Sequence, residues 1–366
     1  MLERISLSNF KGFKSASIAL APLTLLSGLN SSGKSTILQA LGVLRQSHEA
    51  GYLQEGHWLL NGSFAELGIG SDALHEDSEG GQLGLGLVEN GKISTWTVAY
   101  DQLSDVLERS EVGQDYDVSG VLFSDKFQFL RADRVNPQTT YAKSRHAVSQ
   151  HKILGVKGEF AAHFLNLFQD EVVPERVRYP KKSDATHGLL SQVNAWMQEF
   201  SPGVRVGVHD VAGTDFVRLS FAYGSGANTS HDYRPTNVGF GLAYSLPIII
   251  ACLATPPGGL VLLENPEAHL HPRGQMAMGR LIARAASVGI QVLVETHSDH
   301  LLNGVRLAVK NHEICSEAVK MYFFSRDAET RQSCFVSPGM QPDGKLTFWP
   351  EGFFDQWDIA LMDLLS

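Results

Sequence analysis

Eight residues restrict this chain more than anything else in it. Gly28-Leu-Asn-Ser-Ser-Gly33-Lys34-Ser35 follows an apolar stretch and is extended by Thr36. It leads into a run with Ile37, Leu38, Leu41 and Leu44 at helical spacing. This is the G-x-x-x-x-G-K-[ST] pattern in the strand, loop and helix setting it requires. Glycines there let backbone N–H groups turn inward around phosphate oxygens, and the helix N-terminus adds positive potential. The expected phosphate contacts are Asn30, Ser31, Ser32, Gly33, Lys34, Ser35 and Thr36. Lys34 is expected to reach the β- and γ-phosphates, and the Ser35 hydroxyl to ligate Mg2+. An incidental Gly/Ser loop is the bland alternative, and the flanking strand and helix argue against it.

The remaining pattern alternates strands and helices. Residues 2–7, 16–20, 23–27, 83–88, 93–100 and 127–130 read as strands, and 35–45, 151–168 and 189–200 as helices. A strand pair at 204–208 and 216–223 precedes a strongly apolar helix at 241–254. Strands at 259–263, 291–295 and 319–325 then alternate with helices at 274–286 and 300–310. The stretch 101–120 is polar and reads as a loop. Continuous apolar strands separated by helices point to a mostly parallel sheet covered on both faces. The expected fold class is α/β, a P-loop architecture with a mixed or parallel sheet, antiparallel N-terminal strands and a helical insertion.

Composition removes several classes. The 366 residues are 43% hydrophobic and 19% charged, enough to bury a large core. No apolar run is long enough to span a bilayer, and the best candidate, 242–253, contains Pro247. Cys252, Cys315 and Cys334 are odd in number and far apart, which argues against a disulfide framework or a cysteine metal site. The first residues lack the apolar core of a secretion signal, so a cytoplasmic setting is expected. Charge is uneven along the chain. Residues 66–120 hold twelve acidic and two basic side chains, whereas 126–182 hold eleven basic and five acidic ones. The basic stretch could serve nucleic acid, although a solvated face is the plainer reading.

A second polar cluster completes the picture. Residues 261–263 are apolar and end in Glu264-Asn265-Pro266-Glu267. In P-loop proteins an acid at such a strand end holds the Mg2+ shell, and Glu264 is the expected ligand. The next apolar strand ends in Glu295-Thr-His297, so His297 is expected near a γ-phosphate or its attacking water. Other features have bland readings. His269 and His271 fit no familiar zinc spacing. Arg131 and Arg134 flank Asp133 and suggest an ion pair. The aromatic stretch 349–355 reads as packing.

These residues together resemble a known group, the ABC-type ATPase heads of the SMC, RecF and OLD proteins. More closely, the block ENPEAHLHPRGQ, ETHSDH and WPEGFFDQ is similar to bacterial AAA-family ATPases often found in defence islands. The opening Ile5-Ser-Leu-Ser-Asn9-Phe10-Lys11-Gly12-Phe13 resembles the group's first strand, which runs near the nucleotide base. Thr236-Asn237-Val238-Gly239-Phe240-Gly241 looks like a degenerate ABC signature, Ala268-His269-Leu270-His271-Pro272 occupies the D-loop position, and His297 falls on the switch histidine. The resemblance implies ATP held between two copies, the phosphate loop of one facing Asn237, Gly239 and Gly241 of the other. It also implies one ATPase head over 1–366: a core of about 1–60 and 204–330, an inserted lobe of about 66–200, and a C-terminal packing tail of about 331–366. No Toprim nuclease domain of the OLD type and no long SMC-type arms are expected in this chain.

One departure bears on chemistry. The group's catalytic glutamate position holds Asn265, and an amide cannot accept a proton as a general base. Glu267 and Glu295 are the candidates to replace it. Lys34, Glu264, Glu267 and His297 form the expected catalytic set. Three readings follow. The first is an ATP-hydrolysing head that dimerises or assembles further and regulates a separate effector, such as a nuclease, in anti-phage defence. The second is a non-hydrolysing, ATP-gated scaffold. The third is a RecF-like repair ATPase using 126–182 on DNA.

Overall fold

The structure is a computed structural model that describes residues 1–78, 81–110, 117–181, 185–224, 229–327, 332–350, 352–353 and 361–364. Contacts divide it into two units. The first comprises Met1–Ser124, Val319–Gln341 and Lys345–Ser366; the second comprises Asp125–Ala318 and Pro342–Gly344.

The first unit opens with β1 (Leu2–Phe10) and β2 (Phe13–Ala19), paired antiparallel with Phe10 opposite Phe13. Along β1 the side chains of Leu2, Ile5, Leu7 and Phe10 are buried while Glu3, Arg4 and Ser8 face out. A register shift between Leu2 and Arg4 brings both Leu2 and Ile5 onto the buried face. Then come β3 (Leu23–Gly28), α1 (Lys34–Glu49), β4 (Trp58–Leu59), the short α2 (Gly70–Ala73), β5 (Gln82–Glu89), β6 (Lys92–Ala99) and β7 (Val106–Leu107). The order β2-β1-β5-β6 makes a four-stranded antiparallel sheet, and β4 pairs β7.

The second unit holds β8 (Phe127–Leu130), β9 (Thr140–Ala142), α3 (Ala161–Phe168), α4 (Leu189–Phe200), β10 (Val204–Asp210), β11 (Phe216–Tyr223) and α5 (Phe240–Ala254). It continues through β12 (Leu260–Glu264), α6 (Pro272–Ser287), β13 (Gln291–Glu295) and α7 (Asp299–Lys310). Strands β13, β12 and β8 run parallel, with Glu264 opposite Glu295. Their side chains are buried on both faces, as the apolar runs require. A separate antiparallel sheet, β10-β11-β9, carries α3 and α4. The chain then returns to the first unit with β14 (Val319–Arg326), parallel to β3, and β15 (Ser333–Val336), antiparallel to β14.

The α/β class, the mixed pairing and the antiparallel N-terminal strands follow the expectation. Two details differ. The helix expected over 151–168 exists only as α3, because Gly155 and Gly158 sit at φ 81° and 70° and turn the chain. A Cβ on Gly158 would lie 2.5 Å from the Pro247 ring of α5, so this turn also packs where a side chain cannot. The lobe expected over 66–200 is divided: β5 and β6 extend the sheet of β1 and β2, whereas the chain from Asp125 onward belongs to the second unit. Of the C-terminal tail, Glu351 and 354–360 lie outside the described residues, which leaves the 349–355 reading largely untouched.

Candidate functional site

In the first unit the chain leaves β3 through Gly28, whose φ is 143° and whose Cβ, were one present, would sit 2.1 Å from Phe324 O. A side chain is therefore excluded where the loop begins. Asn30 and Ser31 are exposed, and Ser31 adopts φ 60°. The Ser32 hydroxyl donates to Leu29 O at 2.7 Å. Gly33, at φ 100°, is the N-cap of α1, so no side chain caps the helix and its first N–H groups face the loop. Lys34 is 4% exposed and donates from Nζ to Leu29 O at 2.6 Å. Its ammonium is thus folded over the loop it would share with phosphates. Thr36 is buried and Ser35 half-buried at the start of α1.

This loop forms one wall of a cleft of about 510 Å³. The cleft is also lined by Lys11 and Gly12 of the β1–β2 turn and by Asp72, Leu74 and Glu76. Lys11 donates to Gln39 Oε1 at 2.9 Å, and burial lowers its pKa while Asp72 opposes the shift. The acidic stretch thus supplies part of the cleft wall. Arg326 faces the same cleft and lies 3.9 Å from Glu76. A glycine-framed loop, an uncapped helix start and a buried lysine fit a nucleotide polyphosphate. Gln46 is structural: its Nε2 donates to Leu59 O and its Oε1 accepts the N–H groups of Phe64 and Ala65.

The second unit gathers the other predicted residues at the ends of β12 and β13. Glu264 is half-buried and accepts the Ala132 N–H through Oε2 at 2.9 Å. Burial raises its pKa, and the Ala132 bond works against that. Asn265 follows at φ 44°, a region that asparagine tolerates better than most residues. Its N–H bonds Glu295 O at 2.9 Å, and its buried Oδ1 has no hydrogen-bond partner among the described residues. Glu267 is 9% exposed and accepts the His297 N–H through Oε1 at 2.7 Å. Burial pushes its carboxyl up as well, with the His297 bond pulling down. The His297 side chain is exposed. Glu264, Glu267 and His297 therefore share one strand-end cluster.

Asn237 and Gly239 are exposed, the former closing a turn at Pro235–Asn237 and the latter capping α5 without a side-chain bond. Gly241 is buried against the D-loop position, where a Cβ would lie 2.4 Å from His269 O. His271 accepts from Arg273 N and caps α6. Among the described residues no group of three or more His, Cys, Asp or Glu side chains could hold a metal ion.

Arg134 does more than the ion pair expected of it. It is 3% exposed, and it is Arg131, not Arg134, that pairs with Asp133, at 3.1 Å. Arg134 donates from Nη1 to Arg131 O and Glu264 O at 3.0 and 2.9 Å, and from Nη2 to Asn265 O at 2.8 Å. Burial depresses its pKa to about 10. No sequence motif marks it; a buried arginine is recognised by what surrounds it. Several other cations of 126–182 are paired: Lys143 with Asp210, Lys152 with Glu171, Lys157 with Asp133 and Lys181 with Glu199.

Three family models match parts of the chain. Residues 1–105 match an AAA ATPase domain, and 155–303 match an AAA domain described as a putative AbiEii toxin of a type IV TA system. Residues 314–364 match a protein family of unknown function, DUF3696. No curated protein matches. Among solved structures, an SMC head bound to the C-winged helix domain of ScpA aligns with TM-score 0.55 and 14% identity, over 93% of this chain and 98% of that one. An Smc head with an extended coiled coil, bound to the C-terminal domain of ScpA and derived from Pyrococcus furiosus, aligns with TM-score 0.52 and 12% identity, over 100% and 99%. The chain has the fold of an SMC head, and two stretches of it match AAA ATPase domain models.

Proposed function

We propose that this chain binds Mg-ATP at the Gly28–Thr36 loop and hydrolyses it while paired with a second copy. The observation that carries this reading is the loop itself. A glycine-framed turn, an uncapped helix start and the buried Lys34 converge on a cleft of about 510 Å³. Lys34 would neutralise the β- and γ-phosphates, while Ser35 and Glu264 would complete the Mg2+ shell. Bound Mg2+ would polarise the γ-phosphoryl group. In each composite site Asn237, Gly239 and Gly241 of the second copy would face the γ-phosphate. Glu267 takes the role of base, since Asn265 can orient a water but not accept its proton. His297 sits beside it. The conformational change would act on a separate effector protein. Resemblance to defence-island ATPases, and a family model named for a toxin system, support a role in bacterial anti-phage defence.

Phosphate release from Mg-ATP, measured beside Lys34→Ala, tests this. The substitution is expected to lower turnover by at least about 100-fold, because a buried cation aimed at transferring charge is removed. Equal turnover in both proteins would overturn the assignment. A second reading has its own observation. Asn265 is fixed by its backbone bonds at φ 44°, and on this reading the chain is an ATP-gated scaffold. Tight ATP binding without turnover would favour it.

A further inference from the structure

The second unit contains a connection that neither the phosphate loop nor the acidic cluster requires. Tyr244 lies in the first turns of α5 and is 9% exposed. Its hydroxyl donates to Arg134 O at 3.0 Å, and the Arg134 guanidinium sits 5.2 Å from the centre of its ring. That same guanidinium holds Glu264 O and Asn265 O. A second path runs beside the first. The His269 ring lies 4.9 Å from both Phe240 and Tyr244, and His269 O abuts Gly241. Both routes join the N-terminal turn of α5 to the end of β12. Phe240 and His269 are exposed, whereas Tyr244 and Arg134 are buried. The buried, charge-assisted Tyr244–Arg134 contact is the stiff one, so a shift at one end is carried to the other.

We propose that Arg134 and Tyr244 form a strut that transmits occupancy of the α5 N-terminus to Glu264 and Asn265. Both are positioning residues; neither lines the phosphate-loop cleft. The proposal rests on the reading above, in which the α5 N-terminus faces a partner's γ-phosphate. Without the strut, a second copy could close on ATP and leave the acidic strand end unadjusted. Arg134 is suited to the task because its planar fork reaches two successive carbonyls at once, which a lysine cannot do. The kinked Asn265 backbone is thereby held from one side by Arg134 and from the other by Glu295 O.

The test compares Tyr244→Phe and Arg134→Lys in the full chain, alone and combined. Tyr244→Phe keeps the ring and removes one hydroxyl, so it is the variant expected to fold. Hydrogen exchange of the peptide spanning 264–270 is expected to rise about fivefold to tenfold in both single variants, as loss of one buried hydrogen bond implies. The combined variant should be no worse than the poorer single one. ATP affinity should stay within about twofold, while kcat falls about tenfold at unchanged KM. Unaltered exchange at 264–270 in both variants overturns the strut, as do effects that simply multiply in the combined variant. A wild-type chain with no turnover would instead sink the hydrolytic reading. The exchange result would still decide whether the two ends are joined.

Discussion

Glu267 shows how one side chain can serve chemistry at a cost to stability. It is nearly buried, and burial holds its carboxyl above the ordinary glutamate range. In the folded chain it therefore keeps its proton to higher pH than in the unfolded chain. Its contribution favours folding at low pH and is lost as pH rises from the ordinary glutamate value through the raised one. Glu267→Gln removes that dependence and leaves an oxygen to accept the His297 N–H. The variant is expected to melt higher than the parent at pH 8, with the gap closing at pH 4. If Glu267 is the base, its turnover should fall by about 100-fold to 10,000-fold. A thermal melt at the two pH values and one rate measurement check both halves, and an undiminished rate would assign the proton to another group. The sequence revealed that Asn265 stands where a glutamate is usual, but not that its backbone lies at φ 44°. Nor did it reveal that Arg134 is buried, because burial comes from the fold and leaves no spacing to read.

At the scale of elements, legibility followed hydrophobic pattern. Helix α4 and strands β8, β11 and β13 begin and end where the apolar runs place them. Strands β8 and β13 are buried on both faces, and α4 and β11 bury one face more than the other. The failures lie where pattern and backbone conflict. Residues 151–160 look helical in composition, yet Gly155 and Gly158 need left-handed backbone, and no periodicity carries that information. Strand β15 was missed because four residues with alternating exposure give almost no signal. The turn at Gly158 is a device for packing: a Cβ there would lie 2.5 Å from the ring of Pro247, which is buried within α5. Gly158→Ala would meet both the ring and a positive φ, costing about 1–2 kcal/mol from backbone strain alone. A lower melting temperature with unchanged ATP affinity is the expected outcome. An unaltered melting temperature would mean the turn relaxes without penalty.

At the scale of the whole molecule, the issue is whether ATP joins two copies, and Gly239 offers a clean way to ask. Gly239 caps α5, is exposed, and has nothing within 4 Å of where a Cβ would lie. Its φ of −57° suits any L-residue, so a substitution there has no reason to disturb the fold. A carboxylate at a helix N-terminus is even mildly favourable in the isolated chain. In a composite site the same carboxylate would face the partner's γ-phosphate, and like charges in a desolvated interface repel strongly. Gly239→Glu should therefore melt like the parent and bind ATP at its own phosphate loop with unchanged affinity. It should fail to self-associate when ATP is added. Sedimentation of the Glu267→Gln protein with Mg-ATP, with and without Gly239→Glu, separates the cases, since blocked turnover lets any ATP-bound pair accumulate. A pair that forms equally well with the glutamate present would mean the α5 N-terminus does not meet phosphate. The resemblance would then describe the fold and not the assembly.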